Sequence, residues 1–375
     1  MKNRYDVKII ETMEEWAEMS ESWNDLLMQS KSNTIFLTWE WLYTWAEYYL
    51  EKNRKLFIIA IYERSALIGI APFYINPVCF GPFHIRQIEF LGSPETASDY
   101  LDVFAIRGKE KEIAQYLYNY LFHIKSSKWD MIFLRDIPSE SLFLLYFLKN
   151  IKKNRGYFEI QEGSFCPVLR LPETHKQFIS TLSPNRKKRL NYDMNVLKRA
   201  GEYKCYTIQS IDSKSHLNKF LSIYKKRWQN NNAIFYSFLG KFTSRGNKKS
   251  WVTIDFLNIN GKDIAGLFLL RYQGILSMYL MAADINYNKK ISIGNILTAL
   301  SIEKAINDGI SIFDFLKGEE EYKFYWAKEG KRCLNLFSCQ RNLGTIFYAL
   351  KKFLKSIAKI VLSRSGKRLF LKSMP

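Results

Sequence analysis

The order of elements in this chain is written twice, and that repetition restricts the fold more than any single motif does. In the first half, Trp39, Leu42, Trp45 and Tyr49 recur at helical spacing behind Ser32 or Asn33 as a cap, so the chain is expected to open with helices. KLFIIAIYERSALIGIAPFYI then predicts an apolar hairpin, and IRQIEFLGS and DYLDVFAI predict further strands. The helix EKEIAQYLYNYLFHI, the strand WDMIFLRDI, the helix SLFLLYFLKNIKKN and the strand FCPVLRLP follow. After Leu171-Pro172 the order returns. HKQFISTL, PNRKKRLNYDMNVLKRAG and SHLNKFLSIYKKRWQN predict helices, and SWVTIDFLNI–NGKD–IAGLFLLRY predicts a hairpin turned by Asn260-Gly261. LSMYLMAA, a helix over 295–309 and ISIFDFL complete the second round. An α/β (α+β) chain is therefore expected, with modules at 1–171 and 172–340, each a mixed sheet flanked by helices, and a tail at 341–375.

A chain of 375 residues with 47% hydrophobic and 16% aromatic content can bury two cores, which excludes a disordered protein. The five cysteines (Cys79, Cys166, Cys205, Cys333, Cys339) are scattered, with no C-x-x-C pair, so neither a zinc site nor a disulfide framework is expected. His84, His123, His175 and His216 form no metal or triad spacing either, and the expected metal set is none. No N-terminal signal is read in MKNRYDVKIIETMEEW, and no apolar run reaches the ~20 residues of a membrane span. A cytoplasmic location is expected. The net charge of +20 draws the chain towards an anion, whether CoA phosphates, RNA, anionic lipid or an acidic glycan precursor. The tail carries nine Lys/Arg and no Asp or Glu, with Leu343, Phe347, Leu350, Leu354 and Ile357 on one helical face. Such a basic amphipathic helix either docks on the body or makes a peripheral contact with the inner membrane face.

Chemistry concentrates between Leu276 and Gly330. Strand, loop and helix succeed one another there, and a strand feeding a helix start through a glycine offers free N–H groups and a positive dipole end. Gly294 marks that turn, with Tyr287, Ser292 and Asn295 beside it. Asp314 lies in the next apolar strand, where an unpaired charge is costly to bury, so it is expected to pair with Lys323 or Lys317 or to act in a cleft. Tyr322, Tyr325 and Glu321 follow as proton-transfer candidates.

Three further groups stand out. Arg186-Lys187-Lys188-Arg189 occupy the first turn of a helix begun by Ser183-Pro184, where cations oppose the dipole at roughly several tenths of a kcal/mol each. Arg186 and Arg189 are therefore anion-binding candidates, against a simple solvated charge run. Arg227-Trp228 can clamp a sugar or phosphorylated carrier by guanidinium and ring, or be a helix-end Arg beside a core Trp. Asp99 and Asp102 flank Tyr100 at a strand start, and either can serve as general base if it faces the cleft between modules.

FDFLKGEEEYKFYWAKEGKR, SPNRKKRLNYDMNVLKRAG, Arg227-Trp228 and SDYLDVFAI together resemble the acetyltransferase-like family of cellulose and exopolysaccharide biosynthesis (CelD/BcsL type), over about residues 30–340. That family sits in the GNAT superfamily and is related to the Fem aminoacyl transferases. The resemblance implies two GNAT modules in tandem and acyl-CoA as co-substrate, with no permanently bound cofactor. It implies that Tyr287, Ser292, Gly294 and Asn295 hold the donor's pyrophosphate. The backbone from Met281 to Ala283 would then pair with the pantetheine arm and polarise the thioester. Tyr322, or else Tyr325, would reprotonate the thiolate. The donor loop departs from the usual Q/R-x-x-G-x-G/A, since Asn288 to Asn295 keeps only Gly294.

The expected activity is acyl transfer to an amine or hydroxyl of a sugar or surface-polysaccharide precursor, free or lipid-linked. A Fem-like enzyme using aminoacyl-tRNA and a non-catalytic scaffold of polysaccharide biosynthesis are the alternatives.

Overall fold

Strand propensity and hydrophobic period account for most of the sheet. A computed structural model describes residues 4–50, 53–80, 83–209, 214–228, 232–247, 249–284 and 286–340. The expected tail at 341–375 lies outside the described residues. The first half supplies β1 (Asp6–Ile10), β2 (Lys55–Glu63), β3 (Ala66–Phe80), β4 (Phe83–Phe90), β5 (Phe104–Ala105), β6 (Met131–Pro138) and β7 (Tyr157–Arg170). The second supplies β8 (Tyr203–Ile208), β9 (Val252–Ile259), β10 (Lys262–Tyr272), β11 (Ile275–Ala283), β12 (Ile312–Asp314) and β13 (Glu329–Cys339). The α-helices are α1 (Met13–Ala17), α2 (Ser20–Met28), α3 (Trp39–Tyr49), α4 (Glu110–Asn119) and α5 (Leu142–Lys153) in the first half. In the second they are α6 (His175–Thr181), α7 (Pro184–Ala200), α8 (Lys214–Trp228), α9 (Ala233–Asn247), α10 (Ile293–Asn307) and α11 (Glu321–Trp326).

All these strands share one mixed sheet, ordered β1-β2-β3-β4-β6-β13-β7-β12-β11-β10-β9-β8, with β5 on β3. Each half contains one parallel pair that is joined over only two or three residues. β4 meets β6 at Gln87↔Met131 and Ile88↔Ile132, and β11 meets β12 from Ile275↔Ile312 to Ser277↔Asp314. Beyond those registers the strands diverge. The last strand, β13, leaves its own half and runs antiparallel between β6 and β7.

The helices cover the sheet with large apolar side chains. Trp16, Trp23, Trp41, Trp45 and Trp129 are fully buried, each worth on the order of 3 kcal/mol by area. Trp41 of α3 packs its ring against Phe238 and Phe242 of α9 at 5.1 and 4.7 Å, so one core continues across both halves.

Several sequence expectations need correction. The chain opens with strand β1 on β2, not with helices, and the cap of α3 is Thr38, whose hydroxyl accepts from the Trp41 N–H. Ser32 and Asn33 bond elsewhere, to Asp102 and Tyr272. In DYLDVFAI only Phe104–Ala105 form a strand, while residues 99–103 are irregular. Strands β8 and β13 and helix α9 were not foreseen at all.

Candidate functional site

The divergence of β11 from β12 makes a cleft in the second half. A bulge sharpens it: the register jumps from Phe268↔Leu280 to Leu269↔Met278, leaving Tyr279 as an extra residue. From Met278 onwards, no described strand pairs with the edge of β11 that faces the cleft. The opening measures about 360 Å³ and is walled by Tyr279, Met281, Phe315 and Tyr322, with Tyr224 from α8 and Phe235 from α9. Thr96 and Asp99, from the first half, close it.

Asp99 is fully buried. Its Oδ2 accepts from the Lys317 N–H at 2.9 Å, while Oδ1 lies 3.4 Å from Lys317 Nζ and has no hydrogen-bond partner. Burial pushes its carboxyl up to about 7, with Lys317 opposing the rise and Asp136 and Asp314 adding to it. That places a proton acceptor near neutrality, where general-base chemistry works best. The surrounding backbone is held in a rare conformation. Ala97, Tyr100, Asp136 and Leu316 all have φ between +49 and +58, without glycine's tolerance, at a cost on the order of 1 kcal/mol or more each.

Asp314 and Asp102 face a second cavity of about 240 Å³, lined also by Tyr272, Ser277 and Lys331. The expected pairing of Asp314 with Lys323 or Lys317 is not what forms. Asp314 instead accepts from the Tyr100 hydroxyl at 2.9 Å and the Leu316 N–H at 2.8 Å, and burial raises it to about 6. Lys323 donates to the carbonyls of Leu316 and Lys317 and meets Glu320 at 3.0 Å, so it braces the turn after β12. Asp102 accepts from Ser32, Ser141 and the Val103 N–H at 2.8, 2.9 and 2.9 Å, and burial raises it to about 7.

At the other end of β11, Ser292 caps α10 by accepting from the Asn295 N–H. A Cβ on Gly294 would lie 3.0 Å from Met281 Sδ, so glycine here permits close approach of helix and strand. Ala283 pairs with Ala265 at the strand end, and the Tyr287 N–H donates to Asp284 across the loop. The first turn of α10 has no acidic residue, whereas α4, which occupies the corresponding place in the first half, starts with Glu110 and Glu112. An anion is therefore favoured at α10 and repelled at α4.

Arg189 donates to the Lys290 carbonyl at 2.8 Å and pairs with Asp193 at 3.0 Å, which sets its guanidinium against the loop before α10. Arg186 donates to the Phe324 carbonyl at 2.8 Å and covers the Tyr325 ring, whose hydroxyl returns a bond to Arg186 O. Tyr325 is thus a bridge between α7 and α11. Tyr322 lines the cleft, and burial and Glu320 raise its hydroxyl. Glu321 is exposed. Arg227 and Trp228 end α8 one turn beyond Tyr224, and the Trp228 side chain lies outside the described residues.

Sequence reasoning missed Tyr279, Tyr224, Phe235 and Asp136 and weighed Lys317 only as a partner for Asp314. Aligning the two modules could have exposed Asp136, because IFLRDI and SIFDFL each place an Asp near the end of the equivalent strand. Among the described residues no group of His, Cys, Asp and Glu could hold a metal, and no helix is long and apolar enough to cross a membrane.

The strand, its bulge and the capped helix all fall within one span. Residues 184–324 match the acetyltransferase (GNAT) domain family. Over the whole chain the fold is similar to those of several solved structures at low sequence identity. FemX is similar at 11% identity with a TM-score of 0.59, covering 92% of this chain and 99% of that one. A conserved protein of unknown function from Bacteroides thetaiotaomicron VPI-5482 matches at 11% identity and TM-score 0.53, covering 89% and 100%. L-PGS from Bacillus licheniformis matches at 13% identity and TM-score 0.50, covering 88% and 96%. No curated protein sequence matches the chain. The GNAT span runs from α7 to α11 and leaves out both Asp99 and β13.

Proposed function

We propose that this chain transfers an acyl group from acyl-CoA to an amine or hydroxyl of a sugar or surface-polysaccharide precursor. One observation carries the reading: Asp99, supplied by the first half, lines the same cleft as the unpaired edge of β11 and has a buried oxygen that accepts no hydrogen bond. The donor would lie along that edge, with its pyrophosphate at the start of α10 near Tyr287, Ser292, Gly294 and Asn295 and the nearby Arg189. Asp99 would take the proton from the acceptor nucleophile as it attacks the thioester carbon. Backbone N–H groups between Met278 and Met281 would hold the oxyanion, the C–S bond would break, and Tyr322 would protonate the departing thiolate. Arg227 and Trp228 at the end of α8 are the acceptor-side candidates. The resemblance to the CelD/BcsL type supports the polysaccharide acceptor. The +20 charge and the basic tail support a peripheral contact that keeps the enzyme beside lipid-linked substrates.

The test is a thermal-shift and turnover panel of acyl-CoAs, with Gly294→Glu as the donor-site control and Asp99→Asn as the base control. Acyl-CoA should raise the melting temperature of the wild type but not of Gly294→Glu. Asp99→Asn should keep the shift and lose at least a hundredfold in turnover. No shift and no turnover with any acyl-CoA would sink the proposal.

The Fem-like reading, with aminoacyl-tRNA as donor, draws support from the charge and from the FemX likeness over nearly the full length of both chains. Co-purifying RNA whose binding falls steeply with salt would favour it.

A further inference from the structure

Three stretches of chain meet at one half-buried ammonium group. Lys317 Nζ lies 3.0 Å from the Ser98 carbonyl, 3.0 Å from Asp136 Oδ2 and 3.4 Å from Asp99 Oδ1. Its backbone N–H donates to Asp99 Oδ2. A single residue of the second half therefore touches both oxygens of a carboxyl from the first half. The frame around it is fixed in turn. Lys323 holds the carbonyls of Leu316 and Lys317, and Asp136 is oriented by Asn335 of β13 and Ser164 of β7. Burying a cation between two carboxylates costs more desolvation than an apolar contact of the same volume would. The left-handed backbones at Tyr100, Asp136 and Leu316 add strain at the same point.

We infer that Lys317 is a positioning residue for the cleft: it holds Asp99 through both oxygens while leaving Oδ1 without a hydrogen bond, and, shared with Asp136, it sets how tightly that oxygen holds a proton. The inference rests on reading Asp99 as the proton acceptor. Every charged or titratable group facing Asp99 bears on the balance. Lys317, in the turn after β12, favours the carboxylate; Asp136 of β6 and Asp314 of β12 oppose it. Tyr100 beside it and Tyr279 of β11 stay neutral because burial raises both, and Cys166 of β7 stays neutral because its hydrogen bond with Cys333 and then burial raise it.

The test uses the full chain with carboxyl-¹³C aspartate, titrated by NMR, with the Asp99 signal assigned by its loss in Asp99→Asn. Lys317→Met should move the Asp99 midpoint up by at least one pH unit, a tenfold gain in proton affinity. Asp136→Asn should move it down, and Lys317→Arg should leave it near the wild-type value. If both Lys317→Met and Asp136→Asn lower the melting temperature but leave the midpoint within a few tenths of a unit, Lys317 is only a brace and the inference is wrong. Shifts of the same sign in the two variants would overturn it too. Should Lys317→Met fail to fold, the direction of the Asp136→Asn shift decides alone, because lost packing gives no reason for tighter ionisation. Opposite shifts combined with undiminished acyl transfer by Asp99→Asn would leave the positioning intact and remove the general-base reading instead.

Discussion

Replacing Asp102 with Asn isolates the cost of burying a carboxylate in the loop that follows β4. The side chain is fully buried, and Oδ1 accepts from Ser141 and Val103 while Oδ2 accepts from Ser32. In the amide, the oxygen can keep the first two bonds, and the NH2 can donate to a Ser32 hydroxyl turned around. The network survives while the charge goes. Folding raises this carboxyl from 3.8 to about 7. At 1.36 kcal/mol per unit, the gap of ~3 units corresponds to about 4 kcal/mol. The folded state binds the proton more tightly than the unfolded one. The stability linked to it is therefore fully present below about pH 4 and is lost as pH rises through about 7. Wild type and Asp102→Asn share every other titrating group, so their difference reports this one. Denaturant unfolding at pH 5 and pH 8 should show the variant gaining on wild type by roughly 2–3 kcal/mol between the two conditions. A constant difference, or a variant that loses ground as pH rises, would refute the argument that desolvation dominates the three hydrogen bonds.

Other consequences are simpler. Trp41→Ala should lower stability by about 3–5 kcal/mol in calorimetry, because its ring fills the joint between α3 and α9 and its N–H bonds Ser98 at 2.8 Å. Arg245→Ala removes a partly exposed pairing with Glu47 and the bond to Thr44, and should cost about 1 kcal/mol in denaturant unfolding. Tyr322→Phe should slow turnover of an acyl-CoA at least tenfold while leaving the donor's thermal shift unchanged; equal loss of both would make Tyr322 a wall of the cleft and nothing more.

Local chemistry was readable where the chain itself writes it. Asn260 and Gly261 both adopt positive φ in the hairpin between β9 and β10, as that dipeptide predicts, and Ser292 caps α10 next to Gly294. The strand β8, YKCYTI, is rich in strand-forming residues and could have been found. Asp99 and Lys317 are a different matter. They lie 218 residues apart and meet only because the loop at 91–103 crosses to the second half. The left-handed residues Tyr100 and Asp136 have no neighbouring glycine to announce them, and Leu316 comes two residues before Gly318. The bulge at Tyr279 is hidden in a continuous apolar run, where periodicity gives no signal.

The place of β13 decides the order in which this molecule can become whole. Between β6 and β7 the first half has a gap in its sheet that only residues 329–339 fill. On a ribosome, everything from β1 to β7 emerges well before that strand does, so the early half waits with two unpaired edges while the rest of the chain is made. A stop placed anywhere before residue 329 would leave those edges open permanently, and fragments of the first half alone should aggregate or recruit a foreign strand. Pairing β13 with β6 and β7 also closes a long loop, which makes slow, late consolidation of the first half the natural course of folding.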